Sequence, residues 1–514
     1  MRDPRLLYPE HSFDPEGELP AHADDLVRDL ELDVLFAAMS RGDDFIGGIV
    51  RRVLLTGPED AGTVRYRQDV LRDCLANPRV VRELFDLCDE AARVGRRTPL
   101  GLLALSTPTS VLSSSAYLLS ALLDALERMH RLATASAGDF VSRGLSEVLE
   151  TFLEEYDADR LDTMRDHLRR LEWDVGFHLS ARLGAGSVGT DYALQAGVRR
   201  GRSRWERKIR EWFRRLLGLE PSSFSFYVHR RDEASGEALE EVIRRGIGPV
   251  ANTLARAAER ILHTFRALRT ELAFYVGCLN LADRLEAIDE PFCLPEVGEP
   301  GEVAWTAAGL YDVCLSLTIG GGVVGNDLDG EGVDLVLITG ANQGGKTTFL
   351  RSVGAAELMA GCGLFVPATA YSTAIRAGVF THFRREEDAD MQSGKLEEEL
   401  TRMDAIIESL QPGSLVLCNE SFATTNELEG SEIARQVVSG LLRGGVAVFF
   451  VTHLYEFART FCGTTEERVL CLRAERMDDG RRTFRMIEGA PQETSFGEDL
   501  YRRILGSDAP HPGV

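Results

Sequence analysis

The sequence predicts a multidomain chain, an α-helical core and lever with long coiled-coil-like helices followed by an α/β domain. Three observations predict it. Residues from about 25 to 300 are rich in Leu, Ala, Arg and Glu with few strand signals, the stretch after Pro249 repeats apolar residues at heptad spacing, and short apolar runs surround a glycine-rich turn near residue 340. These features divide the chain into an N-terminal extension (1–25), a helical core and lever (26–300) and the α/β domain (301–514).

Composition sets outer bounds. The 514 residues are 44% hydrophobic and 27% charged, which marks a globular chain with room for several domains. A net charge of −23 argues against general coating of nucleic acid, so any contact with a phosphate backbone must be local. Nine cysteines without a CxxC pair read as reduced thiols of a cytoplasmic protein rather than a disulfide scaffold or zinc site. The N-terminus has no apolar signal core, and Leu100 to Leu126 is broken by Pro108, Asp124 and several Ser and Thr residues. That segment reads as a buried helical pair, and no membrane partner is expected.

Within the helical region, residues 199–215 carry nine basic residues against two acidic ones, interleaved with Trp205, Trp212 and Phe213. Arg199, Arg200, Arg202, Arg204, Arg207 and Lys208 are candidates to grip a nucleic-acid backbone. Two other readings stand beside it: an amphipathic helix with its rings in the core and its arginines in solvent, and a membrane-surface helix. Further on, Leu254, Ala258, Ile261, Phe265, Leu268, Leu272, Tyr275 and Leu279 alternate in steps of four and three, a heptad seam. Continued to Ile288, the helix would be about 60 Å long. Its expected antiparallel partner is the segment from Asp139 to Phe177.

The α/β domain contains the most specific signal. An apolar strand, Asp334 to Thr339, runs into a loop from Gly340 to Thr347 that fits G-x-x-x-x-G-K-[ST], and a helix follows. Gly340, Gly344 and Gly345 let the backbone turn its N–H groups toward phosphate oxygens at a helix N-terminus. Lys346 is placed to reach the β- and γ-phosphates, and the Thr347 hydroxyl to ligate Mg²⁺. A nucleoside triphosphate is the ligand this pattern proposes. Asn342 and Thr348 complete the nucleotide set.

A second strand, Ser414 to Glu420, ends in an amide and a carboxylate. Phosphate-loop ATPases end this strand in Asp for the Mg²⁺ shell, often followed by a Glu that polarises water. Glu420 is present, but the Asp position is Asn419, whose carbonyl oxygen can meet a metal-bound water without supplying charge. A helix with Ile433, Val437 and Leu441 on one face follows, then the strand Val446 to Thr452 and His453. His453 is either a plain strand-end residue or a sensor of the γ-phosphate.

The order and spacing of TGANQGGKTTFLR, GLFVPA, SLVLCNE, EGSEIA and FVTHLYEF resemble the ATPase domain of the MutS DNA mismatch repair family. The resemblance covers about Gly320 to Gly497, and continues more weakly upstream through Asn326 to Leu328, Pro291 to Val297 and the segments near residues 31–39 and 66–71. It implies an ABC-type P-loop ATPase head that uses ATP and Mg²⁺ and pairs with a second copy, so that a homodimer sandwiches each nucleotide. Glu420, Lys346 and His453 would then be catalytic, and Thr347 and Asn419 would hold the metal. The signature loop acting across the interface would be Thr424, Thr425 and Asn426, where the family carries glycines. Val323 stands where the family has a ring stacked on adenine, and the stretch from Arg384 to Glu399 is rich in acids.

The family's N-terminal mismatch-reading and connector domains find no counterpart ahead of the core-like segment. The expectation is therefore an ATP-switched clamp acting on branched or otherwise altered DNA in repair or recombination. The alternative is an ATP-binding switch or scaffold with little hydrolysis and protein partners.

Overall fold

In a computed structural model of the chain, residues 3–57, 59–97, 108–171, 178–183, 189–195, 233–300, 305–385, 394–462, 468–477 and 481–491 are described. The candidate nucleic-acid residues Arg199 to Lys208 lie outside them. The chain forms two compact units, one from Met1–Pro4, Arg82–Gly138 and Val148–Arg269, the other from Arg5–Val81, Asp139–Glu147 and Thr270–Val514.

The first unit is built mainly of helices. It draws on Pro78–Arg97, Pro108–Ser136, Arg143–Glu155 and Ala158–Leu171, together with an antiparallel hairpin of β1 (His178–Leu183) and β2 (Gly189–Gln195). The heptad seam lies on a helix longer than expected, the 55-residue Glu233–Ala287, about 80 Å at the usual rise. Pro249 sits inside it, where it removes one backbone bond without ending the helix. Ala258, Ile261, Phe265 and Leu268 are buried as the pattern requires.

Residues beside this seam add neighbours that the sequence did not indicate. Gly95 leaves no room for a side chain against Leu262, Arg269 Nε lies 2.8 Å from Asp89, and Ala251 packs with Leu112. Pro78–Arg97 and Pro108–Ser136 are thus neighbours of the helix, and from the expected segment Tyr156 lies near enough to Arg260 to interact with it electrostatically. Periodicity names the apolar face of a helix but not which other face covers it. Of the expected helical pair in 100–126, the part from Pro108 on is the start of one helix, Pro108–Ser136, and residues 100–107 lie outside the described residues. No described helix is long and apolar enough to cross a membrane.

The second unit contains two sheets. The smaller joins β3 (Glu296–Gly298), β4 (Thr306–Leu310), β5 (Asn326–Asp329) and β7 (Ala370–Ala374) in the order β3-β7-β4-β5. The larger joins β6 (Leu335–Thr339), β8 (Val379–Phe383), β9 (Leu415–Asn419), β10 (Ala447–Val451), β11 (Val469–Arg476) and β12 (Arg482–Glu488) in the order β12-β11-β6-β10-β9-β8. The five strands from β11 to β8 are mutually parallel and only β12, at the other edge, runs against them. Parallel strands buried on both faces need continuous apolar runs, and β6, β8 and most of β9 and β10 are buried accordingly. Leu335, Leu337, Val416, Cys418, Val448 and Phe450 share one core with Phe422, Phe457 and Leu441. The helix Lys346–Gly361 is buried along most of its length. Gly354 has no space for a side chain against Leu417 and Leu30, so the helix lies close to the sheet at that point.

Cys462 and Cys471 form a disulfide, with Cα atoms 6.1 Å apart. This corrects the reading of all nine cysteines as reduced thiols. The end of helix Tyr455–Cys462 and strand β11 bring the two together, a proximity that spacing alone does not reveal. The other seven are free, and all but Cys293 are buried.

The N-terminal segment is part of this unit's core. Leu6 and Leu7 are fully buried, and the carboxylate of Glu271 accepts from the backbone N–H groups of Leu6 (2.9 Å), Leu7 (2.8 Å) and Phe13 (3.2 Å). Tyr275 donates its hydroxyl to the Leu6 carbonyl at 2.5 Å, and buried Arg67 donates Nε to the Leu7 carbonyl at 2.7 Å. Arg67 also lies over the Tyr8 ring. Burial pushes the Glu271 carboxyl up from its ordinary range, while its three backbone donors oppose that shift.

Glu271→Ala leaves two buried donors, Leu6 and Leu7 N–H, and the half-buried Phe13 N–H without an acceptor. The expected loss is about 3 kcal/mol or more of unfolding free energy, read from urea denaturation, with Glu271→Gln intermediate because one oxygen remains. A loss below about 0.5 kcal/mol would show that the segment is not held by this carboxylate.

Candidate functional site

The parallel sheet gathers the site at one edge. Ile338, Val451, Asn419 and Phe383 lie in one row across four strands. The residues just beyond continue the ladder: Thr452 N donates to Ile338 O (3.0 Å), Glu420 N to Val451 O (2.9 Å) and Arg384 N to Asn419 O (2.9 Å). Loops leaving neighbouring strand ends therefore share a small volume.

The loop after β6 turns through Gly340, Gln343 and Gly345, all with positive φ. Gly340 and Gly344 lie against Ala474 of β11, where a Cβ on either would meet it within 3.2 Å. Glycine is thus required both for the turn and for the close approach. The Lys346 side chain folds back over this loop, donating Nζ to the carbonyls of Gly340 (2.9 Å) and Ala341 (3.2 Å). Burial lowers the Lys346 pKa, the nearby Glu420 carboxylate opposes that, and Arg482 adds to the lowering.

A cavity of about 440 Å³ opens here. Asn342, Gly344, Gly345, Lys346, Thr347, Thr348 and Glu420 all line it. Asn419 and His453 stand directly behind: Thr347 Oγ1 donates to Asn419 Oδ1 at 3.2 Å, and His453 Nε2 lies 2.9 Å from Glu420 Oε1. Glu420 itself has φ 56, a left-handed conformation that re-aims its side chain at the strand end. Val323 lines the cavity as well, and a ring is supplied from elsewhere by Phe484, half exposed and at φ 62 on β12.

Thr424, Thr425 and Asn426 lie away from this cavity, and their side chains are engaged locally. Thr424 donates to Glu399 at 3.3 Å, Thr425 to Glu429 at 2.6 Å, and Asn426 Oδ1 caps helix Glu427–Arg443 by accepting from Glu429 N at 3.0 Å. Under them lies a buried polar cluster that the sequence did not single out. His382 Nε2 donates to the Glu399 carbonyl at 3.0 Å, its Nδ1 faces the Ser421 hydroxyl at 2.7 Å, and Glu399 Oε2 accepts from Phe422 N at 2.9 Å. Also missed were Arg482, which donates to Gln343 Oε1 at 3.1 Å, and Phe484. Their only sequence signal was an aromatic residue among arginines near the chain's C-terminal end.

Burial, reinforced by Arg402, lowers the His382 pKa to about 4 from 6.5. The folded imidazole is neutral while the unfolded one takes a proton first, so its contribution to stability is present above pH 6.5 and is lost as pH falls through about 4. The slope in this window is roughly 1.4 kcal/mol per pH unit. In urea titrations at about pH 7 and about pH 5, the wild type is expected to lose more stability on acidification than His382→Asn. Equal losses would contradict the assignment.

The chain also matches known families in sequence. The MutS2 N-terminal domain matches residues 59–288 and MutS domain V matches residues 336–503. The protein named DNA mismatch repair protein MutS from Granulibacter bethesdensis is 26% identical over 468 residues, 83% of this chain and 49% of that protein. Its namesake from Chloroflexus aurantiacus is 36% identical over 138 residues, 26% of this chain and 14% of that one. The protein named endonuclease MutS2 from Thermomicrobium roseum is 29% identical over 194 residues, 35% and 24% of the two chains. The chain spans about half the length, or less, of these curated relatives. With one MutS-type model on the helical region and another on the domain that holds the glycine loop, the chain belongs to the MutS family.

Proposed function

We propose that this chain is an ATPase of DNA repair or recombination, in which ATP at the Gly340 to Thr348 loop switches a dimeric clamp on branched or altered DNA. The observation that carries the reading is the convergence of Lys346, Thr347 and Glu420 on one cavity, with Asn419 on Thr347 and His453 on Glu420. Lys346 neutralises the phosphate chain, and the loop's backbone N–H groups hold it in register. Glu420 orients a water and accepts its proton, while the His453 hydrogen bond fixes the carboxylate. Phe484 offers adenine an apolar face that Val323 cannot.

The Thr347 hydroxyl and Asn419 amide oxygen are hard, neutral donors 3.2 Å apart. They suit Mg²⁺ that arrives with the nucleotide and keeps most of its water, and when bound it would neutralise charge on the phosphates. No cluster of three or more acidic, His or Cys residues able to hold a metal alone occurs among the described residues.

A second reading has its own support. Neutral Asn419, and the local engagement of Thr424, Thr425 and Asn426, favour a switch that retains ATP and turns it over slowly. Its partners would be proteins rather than DNA.

Steady-state hydrolysis and nucleotide binding separate these. Lys346→Ala is expected to weaken ATP binding by about a hundredfold, and Glu420→Gln to keep binding while lowering turnover by about a hundredfold or more. Turnover stimulated severalfold by one of duplex, mismatched or branched DNA supports the clamp. ATP binding with negligible turnover that no DNA changes supports the switch, and absence of ATP binding by the wild type sinks both.

A further inference from the structure

The β11–β12 hairpin crosses the glycine loop, and one of its cations has no matching charge. Ala474 touches Gly340 and Gly344, the Phe484 backbone lies 3.5 Å from where a Gly345 Cβ would stand, and Met486 N donates to Asn326 Oδ1 at 2.7 Å. Arg482 opens the returning strand. It donates one N–H to the neutral amide of Gln343, at the crest of the loop, over 3.1 Å. Its Nε is buried without a hydrogen-bond partner, and no carboxylate pairs with it among the described residues.

A guanidinium carries five donors in a planar fork, and a partly buried one without a counter-ion is costly. Lys346, a few residues along the loop, is a second cation held only by carbonyls. Glu420, the carboxylate on this cavity, is already hydrogen-bonded to His453. The loop therefore carries more positive charge than its own acids balance. A phosphate chain supplies the missing charge and fits the fork geometry.

We infer that Arg482 is a phosphate-binding residue of the nucleotide site, reaching from the hairpin to the di- or triphosphate end of the ligand beside Lys346. This rests on the ATP reading above and adds to it a cation supplied by a strand outside the loop motif. In the absence of ligand the Gln343 amide holds the guanidinium in place.

The test is calorimetric titration of ATP, ADP and AMP into the full chain, with Lys346→Ala as benchmark and thermal melting as a check on folding. Arg482→Gln is expected to weaken ATP and ADP by about tenfold to a hundredfold and AMP by less than about threefold. Arg482→Lys, which keeps the charge and loses the fork, is expected to fall between. A merely structural tether would instead lower all three nucleotides by the same factor, with Arg482→Lys as poor as Arg482→Gln, and that pattern would overturn the inference. ATP binding lost in Lys346→Ala but kept within about twofold in Arg482→Gln would overturn it while leaving the ATP reading intact. Should Arg482→Gln melt early, the ATP-to-AMP ratio of Arg482→Lys decides. A wild type that binds no ATP removes the reading and the inference together.

Discussion

The row Ile338, Val451, Asn419 and Phe383 across the parallel sheet is the constraint on which the site depends. Because the ladder continues through the N–H groups of Thr452, Glu420 and Arg384, the residues after each strand cannot drift along the sheet. A slip of one residue would carry Glu420 away from Thr347 and turn a buried side-chain row to the wrong face. Register at the edge is thus enforced by hydrophobic cost in the core, where Leu335, Leu337, Val448 and Phe450 have no exposed surface.

The polar groups beneath the site follow from the same burial. His382 and Ser421 sit in the core with no measurable exposure and Glu399 with little, so each must find a partner inside the protein. They find one another and the backbone of Phe422. That fixes the segment from Glu420 to Asn426, in which Glu420 and Phe422 both hold positive φ. Two left-handed non-glycine residues so close together cost free energy that this network offsets. Glu271 does comparable work for the N-terminal segment, where one carboxylate replaces the backbone partners that an irregular chain lacks.

Much of this was legible in particular residues. The spacing of Gly340, Gly345, Lys346 and Thr347 demands a tight loop between strand and helix, since few other residues tolerate φ of 110 or 91. Asn419 and Glu420 were readable at the end of an apolar run, and the heptad seam from Leu254 to Leu279 marked one face of the long helix. The cover for that face was not readable, nor was the Cys462 to Cys471 bridge, because both depend on distance in space rather than along the chain.

By itself, then, the sequence determined the local chemistry: which residues can turn, which strands are buried, and which side chains can meet a phosphate. Tertiary structure alone decided which of these act together. It placed His453 on Glu420, Asn419 on Thr347, and Arg482 and Phe484 against a loop some 140 residues upstream. The physical reason is that backbone conformation follows from neighbours in sequence, whereas hydrogen bonding and electrostatics follow from neighbours in space, and strand order sets those.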